Sequence, residues 1–139
     1  MMFEGLLLLN FYKYLKICIM IKTVFDLDIF KLSYQIAMDI FNFTRNFPKE
    51  ERYSLTDQIV RSSRSVAANI AEGWGKRIYE NEFKRHLIYA MGSLEETKVW
   101  ICFAKDCSYI SMESFEVFEK KLNEAGAKIY KLYENWKTF

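Results

Sequence analysis

Phe83, Leu87, Ala90, Leu94, Thr97, Ile101 and Ala104 follow one another at alternating steps of four and three residues, with no proline among them. Only an α-helix turns that rhythm into one continuous face, and a face sustained over so many turns must be covered by other helices along its length. After the short break DCSYI the same rhythm returns in Phe115, Phe118, Leu122, Ala125, Ile129, Leu132 and Trp136, with Ser111 placed as an N-cap. The spacing predicts helices over about Tyr79–Asp106 and from Ser111 onward.

Two further helical patterns precede these. Between Asp26 and Phe47 the stripe is Ile29, Ser33, Ile36, Ile40, Phe43 and Phe47, and Pro48 ends it because proline disfavours the helical region at the residue before it. PKEERY then reads as a charged connector, and Ser54 with Asp57 three residues on reads as the next helix start. Its stripe is Leu55, Ile59, Ser62 or Ser63, Val66 and Ile70, with Ala67, Ala68 and Ala71 as thin flanks and Gly73 and Gly75 as the expected stop. A chain of 139 residues with one proline and five glycines supports one domain of long helices. Helices of twenty-odd residues span about 30–40 Å, and short links make neighbours antiparallel. The expected fold is all-α, an antiparallel up-down-up-down four-helix bundle over residues 23–139.

The start of the chain stands apart. MMFEGLLLLNFYKYLKICIMIK is apolar, but Glu4 precedes its leucines and no small-residue cleavage pattern follows, unlike a signal peptide. Asn10, Lys13 and Lys16 interrupt it before the roughly 20 apolar residues that a membrane span needs. Residues 1–22 are therefore expected to be a loosely packed extension. Met20 offers a natural start, so residues 1–19 are expected to belong to no folded element.

The most suggestive stretch is AANIAEGWGKR, residues 67–77. Its glycines follow a helix, whereas a phosphate loop follows a strand and opens a helix, and neither common glycine-loop spacing is present. Ser62, Ser65, Asn69 and Glu72 make a polar stripe, and Gly92, Ser93, Glu95 and Glu96 a polar patch on the next helix. A di-metal bundle needs two Glu-x-x-His motifs, and the chain has one histidine, His86, expected to be exposed beside Lys84 and Arg85. Ser65, Asn69, Glu72, Ser93 and Glu95 are thus expected to form a structural polar network. No catalytic residue, metal, cofactor or small-molecule substrate is expected, and the chain is not read as an enzyme. Cys18, Cys102 and Cys107 lack C-x-x-C spacing and fit reduced thiols of a cytoplasmic protein, expected to be buried or inert.

Positive charge is concentrated. Arg61, Arg64, Lys76, Arg77, Lys84 and Arg85 face only Glu72, Glu80 and Glu82 between residues 61 and 86, while residues 1–60 balance and 87–139 carry one excess anion. Such a cluster suits salt-sensitive phosphate contacts, and it equally suits a solvated helix face. Ile88, Met91, Val99, Trp100, Cys102 and Phe103 form a further apolar set off the main seam of their helix, which predicts self-association.

The segments FPKEERYSLTDQIVRSSRSVAANIAEGWGKR and EFKRHLIYAMGSLEETK, with the later YIS, resemble the four-helix-bundle proteins encoded in intervening sequences of bacterial 23S rRNA genes, the S23 ribosomal protein family. The likeness runs from Phe25 to the C-terminus. Ala68 departs from the serine or proline common before the asparagine, and Ser62 and Ser63 replace commoner apolar or basic residues. The resemblance implies a homo-oligomer, often a pentamer, without established enzymatic activity. It extends to accessory proteins of diversity-generating retroelements, which implies RNA or a reverse-transcriptase-like protein as partner. The two readings are an RNA-binding homo-oligomer and a protein-interaction scaffold that binds no nucleic acid.

Overall fold

The computed structural model describes residues 4–12 and 21–137. These residues hold five α-helices and no strand: α1 (residues 4–12), α2 (Asp28–Thr44), α3 (Leu55–Gly75), α4 (Glu80–Asp106) and α5 (Met112–Asn135). Helix α1 falls where no folded element was expected, and every one of its side chains is exposed. Residues 1–3 and 13–20 of the same stretch lie outside the described residues. No helix among the described residues is long and apolar enough to cross a membrane.

Helices α2–α5 form a bundle. The α3–α4 seam is the most extensive, α2–α3 and α4–α5 follow, and α2–α5 is the slimmest. Helices α2 and α4 therefore stand across the core from each other. Contacts run in opposite senses along neighbouring helices. Ser62 meets Thr97, Ser65 meets Ser93 and Trp74 meets Phe83 between α3 and α4, while Lys105 meets Phe115 and Lys84 meets Tyr133 between α4 and α5.

The stripes account for the core. Every member of the α4 seam from Phe83 to Ala104 is buried, as are Ile29, Ser33, Ile36 and Ile40 on α2 and Phe118, Leu122, Ala125 and Ile129 on α5. At the centre, Ser33, Ser63, Leu94, Thr97 and Leu122 surround a cavity of about 10 Å³. Cys102 and Cys107 are exposed rather than buried. Cys102 follows the buried Ile101 by one residue and so turns about 100° away from the core, and Cys107 caps the end of α4.

The helix ends partly follow the expected chemistry. Ser111 Oγ accepts the Ser114 N–H at 3.0 Å, as its position implied. Ser54 does not cap α3. Its hydroxyl donates to the Glu51 carboxylate, which accepts the Leu55 N–H at 3.1 Å and the Tyr109 hydroxyl at 2.9 Å. Three donors, the Ser54 hydroxyl foremost, hold the Glu51 carboxyl below its ordinary value, and the same bond holds the Tyr109 phenol above its own. After α4, Ser108 adopts φ 62°, letting the Tyr109 N–H reach Ala104 O at 2.8 Å and the Ser108 N–H reach Lys105 O at 2.9 Å. That pair of bonds is a Schellman closure with serine in the place glycine usually takes.

Gly73 does not stop α3, which runs on to Gly75, and no glycine among the described residues has positive φ. A Cβ at Gly73 would lie 2.7 Å from His86 Cβ and 3.0 Å from Phe83 Cδ2. Gly73 is there so that α3 and α4 can touch.

Candidate nucleic-acid interface and the polar seam beside it

The close approach at Gly73 brings the polar stripe of α3 against α4. Thr97 Oγ1 donates to Ser62 Oγ at 2.9 Å, and Ser93 Oγ donates to Ser65 Oγ at 3.0 Å. Asn69 Nδ2 donates to Ser65 O at 2.9 Å and Ser65 Oγ at 3.1 Å, and its Oδ1 faces His86 Nδ1 at 3.5 Å. On the far side of that ring, Lys76 Nζ lies 3.1 Å from His86 Nε2 and 3.3 Å from Glu72 Oε1. An ammonium only donates, so Nε2 accepts and the ring proton belongs on Nδ1, toward Asn69. The result is a chain of polar groups along the α3–α4 seam, donating from Lys76 through His86 and Asn69 to Ser65, which also accepts from Ser93.

Ser65, Asn69 and Ser93 are joined by direct hydrogen bonds, and Glu72 connects to them only by way of Lys76 and His86. Glu95 does not join them. Its carboxylate points outward and pairs with Lys98 at 2.7 Å, because it lies one residue beyond the buried Leu94 on the outer side of α4. His86, expected on the surface, is only 6% exposed. It follows Phe83 by three residues and precedes Leu87 by one, so the helix turns it inward despite its charged neighbours. No group of three or more His, Cys, Asp or Glu among the described residues is placed to hold a metal.

The six cations do not gather on one surface. Lys76, Arg77, Lys84 and Arg85 surround the α3–α4 turn. Arg77 stacks 4.2 Å above the Trp74 ring and donates to Trp74 O at 2.9 Å, and Trp74 in turn packs edge-on against Trp136. Lys84 pairs with Glu80 at 3.0 Å and lies over Tyr133, while Arg85 pairs with Glu82 at 3.2 Å. Tyr79 and Ile78 stand exposed in the turn itself. Arg64 lies about 18 Å back along α3 from Lys76, at 1.5 Å per residue. There it sits 5.3 Å above the Phe41 ring of α2, and Arg61 pairs with Asp57 at 3.5 Å.

Most of these cations thus have a carboxylate one helical turn away. Exposed pairs of this kind are worth about 0–1 kcal/mol each, so a phosphate exchanges for the carboxylate at little cost. The turn offers no nucleophile with a base beside it, and the only buried imidazole is engaged on both nitrogens.

No curated protein matches this chain. Among solved structures, a protein of unknown function from the S23 ribosomal protein family of Bacteroides thetaiotaomicron is similar, with a TM-score of 0.70 and 22% identity, covering 77% of this chain and 96% of that one. At that identity the likeness establishes the shared helical fold. The family model described as 23S rRNA-intervening sequence protein matches residues 25–131, which takes in α2, α3, α4 and most of α5 and leaves aside the apolar start. On that match the chain belongs to the 23S rRNA-intervening sequence protein family.

Proposed function

We propose that this protein is a non-enzymatic, cytoplasmic homo-oligomer of up-down-up-down four-helix bundles that binds RNA through the turn between α3 and α4. The observation that carries the reading is the cluster of Lys76, Arg77, Lys84 and Arg85 around an exposed Tyr79 at one end of the bundle. Phosphates take the place of weakly held carboxylates, and an exposed ring gives an unpaired base a face to stack on. One such cluster binds weakly. Assembly repeats it, and linked weak sites gain strongly in avidity, with a pentamer as the subunit number that family resemblance suggests. Arg61 and Arg64 contribute less, since they lie away from the turn.

Titration of a labelled structured RNA at two salt concentrations tests this, with the wild type beside a Lys76→Glu, Arg77→Glu, Lys84→Glu variant. Wild-type affinity is expected to fall steeply with salt, and the variant to bind more weakly with a salt slope shallower by about 2–3. Equal binding by both proteins, or none at low salt, removes the RNA reading. The scaffold reading rests on the charge pairing described above, which leaves the turn nearly neutral. It predicts a protein partner, such as a reverse-transcriptase-like polymerase, whose binding resists salt.

A further inference from the structure

Helix α4 carries two seams. Beside the buried one, Arg85, Ile88, Gly92, Glu95, Val99 and Cys102 repeat at steps of three and four. This set is displaced by two residues, about 200° around the helix, from the buried set. It faces solvent, with Ile88 and Val99 48–51% exposed and the neighbouring Tyr89 and Phe103 equally so. Helix α2 repeats the arrangement. Tyr34, Met38, Phe41 and Arg45 stand two residues before Ile36, Ile40, Phe43 and Phe47, and all four are exposed.

The other two helices lack this feature. The corresponding outer positions are Arg61, Arg64, Ala68 and Glu72 on α3 and Glu116, Lys120, Asn123, Ala127 and Tyr130 on α5, where Tyr130 is the one large apolar side chain. Among the four bundle helices of the described residues, a second apolar heptad seam therefore belongs to α2 and α4, the pair that faces away from each other across the core. The two seams differ in charge. The α2 seam ends in Arg45 and is flanked by Arg64 above Phe41, whereas the α4 seam, which starts at Arg85, carries Glu95 with Glu96 beside it at its middle. Gly92 lies mid-seam on α4, and nothing within the chain comes within 4 Å of a Cβ built there. A mid-helix glycine costs about 1 kcal/mol relative to alanine, and here no contact inside the chain accounts for it.

Building on the self-association reading above, we propose that the outer seam of α2 in one copy packs into the outer seam of α4 in the next, head to tail. An aromatic of α2, Phe41 or Tyr34, fills the recess at Gly92, and Arg45 and Arg64 face Glu95 and Glu96 of the neighbouring copy. The pairs that Glu95 and Glu96 make within their own helix, with Lys98 at 2.7 Å and the Trp100 indole N–H at 3.2 Å, are exposed and exchange readily. Because the two seams lie on opposite sides of one chain, a two-fold dimer covers only one of them. A head-to-tail contact covers both in every copy and closes into a ring when its rotation permits.

Light scattering after size separation tests the inference with two variants, Met38→Glu with Phe41→Glu, and Ile88→Glu with Val99→Glu. All four residues are exposed in the single chain, and circular dichroism checks that the helices persist. Each variant alone is expected to run at the mass of one chain, and an equimolar mixture to give a two-chain species and nothing larger, since each variant retains one intact seam. A mixture that stays monomeric shows that the two intact seams do not pair with each other, and a single variant that runs at two chains shows that its intact seam pairs with itself; either result overturns the head-to-tail assignment. Variants that still form the full assembly place the interface elsewhere. A wild type that is monomeric at micromolar concentration refutes self-association itself, and this inference with it. As a second route, Arg45→Glu with Arg64→Glu is expected to weaken assembly, and adding Glu95→Arg with Glu96→Arg to restore it. Failure of the reversed pair to restore assembly overturns the charge pairing.

Discussion

Alanine at Gly73 probes how closely α3 and α4 must meet. The added methyl would stand 2.7 Å from His86 Cβ, an atom fixed to the α4 backbone rather than the far end of a flexible chain. Carbon pairs rest at about 3.5–4.0 Å, so the helices have to part by roughly 1 Å at this level. Overpacking of this kind costs about 1–3 kcal/mol. The same separation stretches the Lys76–His86 and Asn69–His86 contacts, and each hydrogen bond lost removes about 1 kcal/mol. Against this, alanine gains about 1 kcal/mol of helix propensity over glycine. The net expectation is a loss of about 2 kcal/mol, or about 1 M in the urea midpoint at a slope near 2 kcal/mol/M. Gly126→Ala is the control, since its Cβ meets only Leu94 Cδ2 at 3.5 Å, an ordinary contact, and it should raise the midpoint. All three proteins are unfolded at one concentration, because assembly adds to apparent stability. A Gly73→Ala protein as stable as the Gly126→Ala protein would refute the close-approach account.

Ser108→Gly should stabilise by about 0.5–1 kcal/mol, because a residue with a Cβ is held at positive φ where glycine is at ease; a lower melting temperature contradicts it. Glu51 has its carboxyl held below the ordinary range, so its stabilisation is present above the ordinary value and disappears as pH falls through the lowered one. Glu51→Gln should therefore flatten the drop in urea midpoint between neutral and acid pH, and a drop as steep as that of the wild type refutes the capping role. The buried Ser33 hydroxyl has no hydrogen-bond partner in the protein, so Ser33→Ala should leave stability unchanged or raise it by about 1–2 kcal/mol, as calorimetry would show.

What could be read from the residues follows the physics of periodicity. A seam of apolar side chains announces itself because burial is decided by one repeating angle, and Phe83 through Ala104 are buried to the last member. The sequence misleads where a local signal competes with that angle. Lys84 and Arg85 suggest an exposed His86, yet its angle from Phe83 turns it inward, beside Asn69 and Lys76. Gly73 reads as a stop because glycine ends helices, while the approach of His86 that requires it comes from another helix and leaves no local trace. Glu51 displaced Ser54 as the cap through Tyr109, a residue of the α4–α5 turn that no short-range rule connects to it. The candidate cations were legible as a cluster in sequence, but a helix spreads Arg61 and Lys76 along its axis and only the turn reunites the rest.

The unequal seams also set an order of events in folding. Helices α3 and α4 share the most extensive interface and are joined only through residues 76–79, so closing that hairpin costs little chain entropy. The opposite edge joins α2 to α5 through contacts such as Lys121 Nζ to Asp39 Oδ2 at 2.8 Å, between residues 82 apart, and it leaves an open groove of about 490 Å³ beside them. Contacts so distant along the chain form late on the way in, and so slim an edge opens first on the way out. Amide protons near Asp39 and Lys121 should exchange with solvent while those at Ser62, Ser93 and Thr97 are still protected, so the bundle unzips along one edge with the α3–α4 hairpin intact.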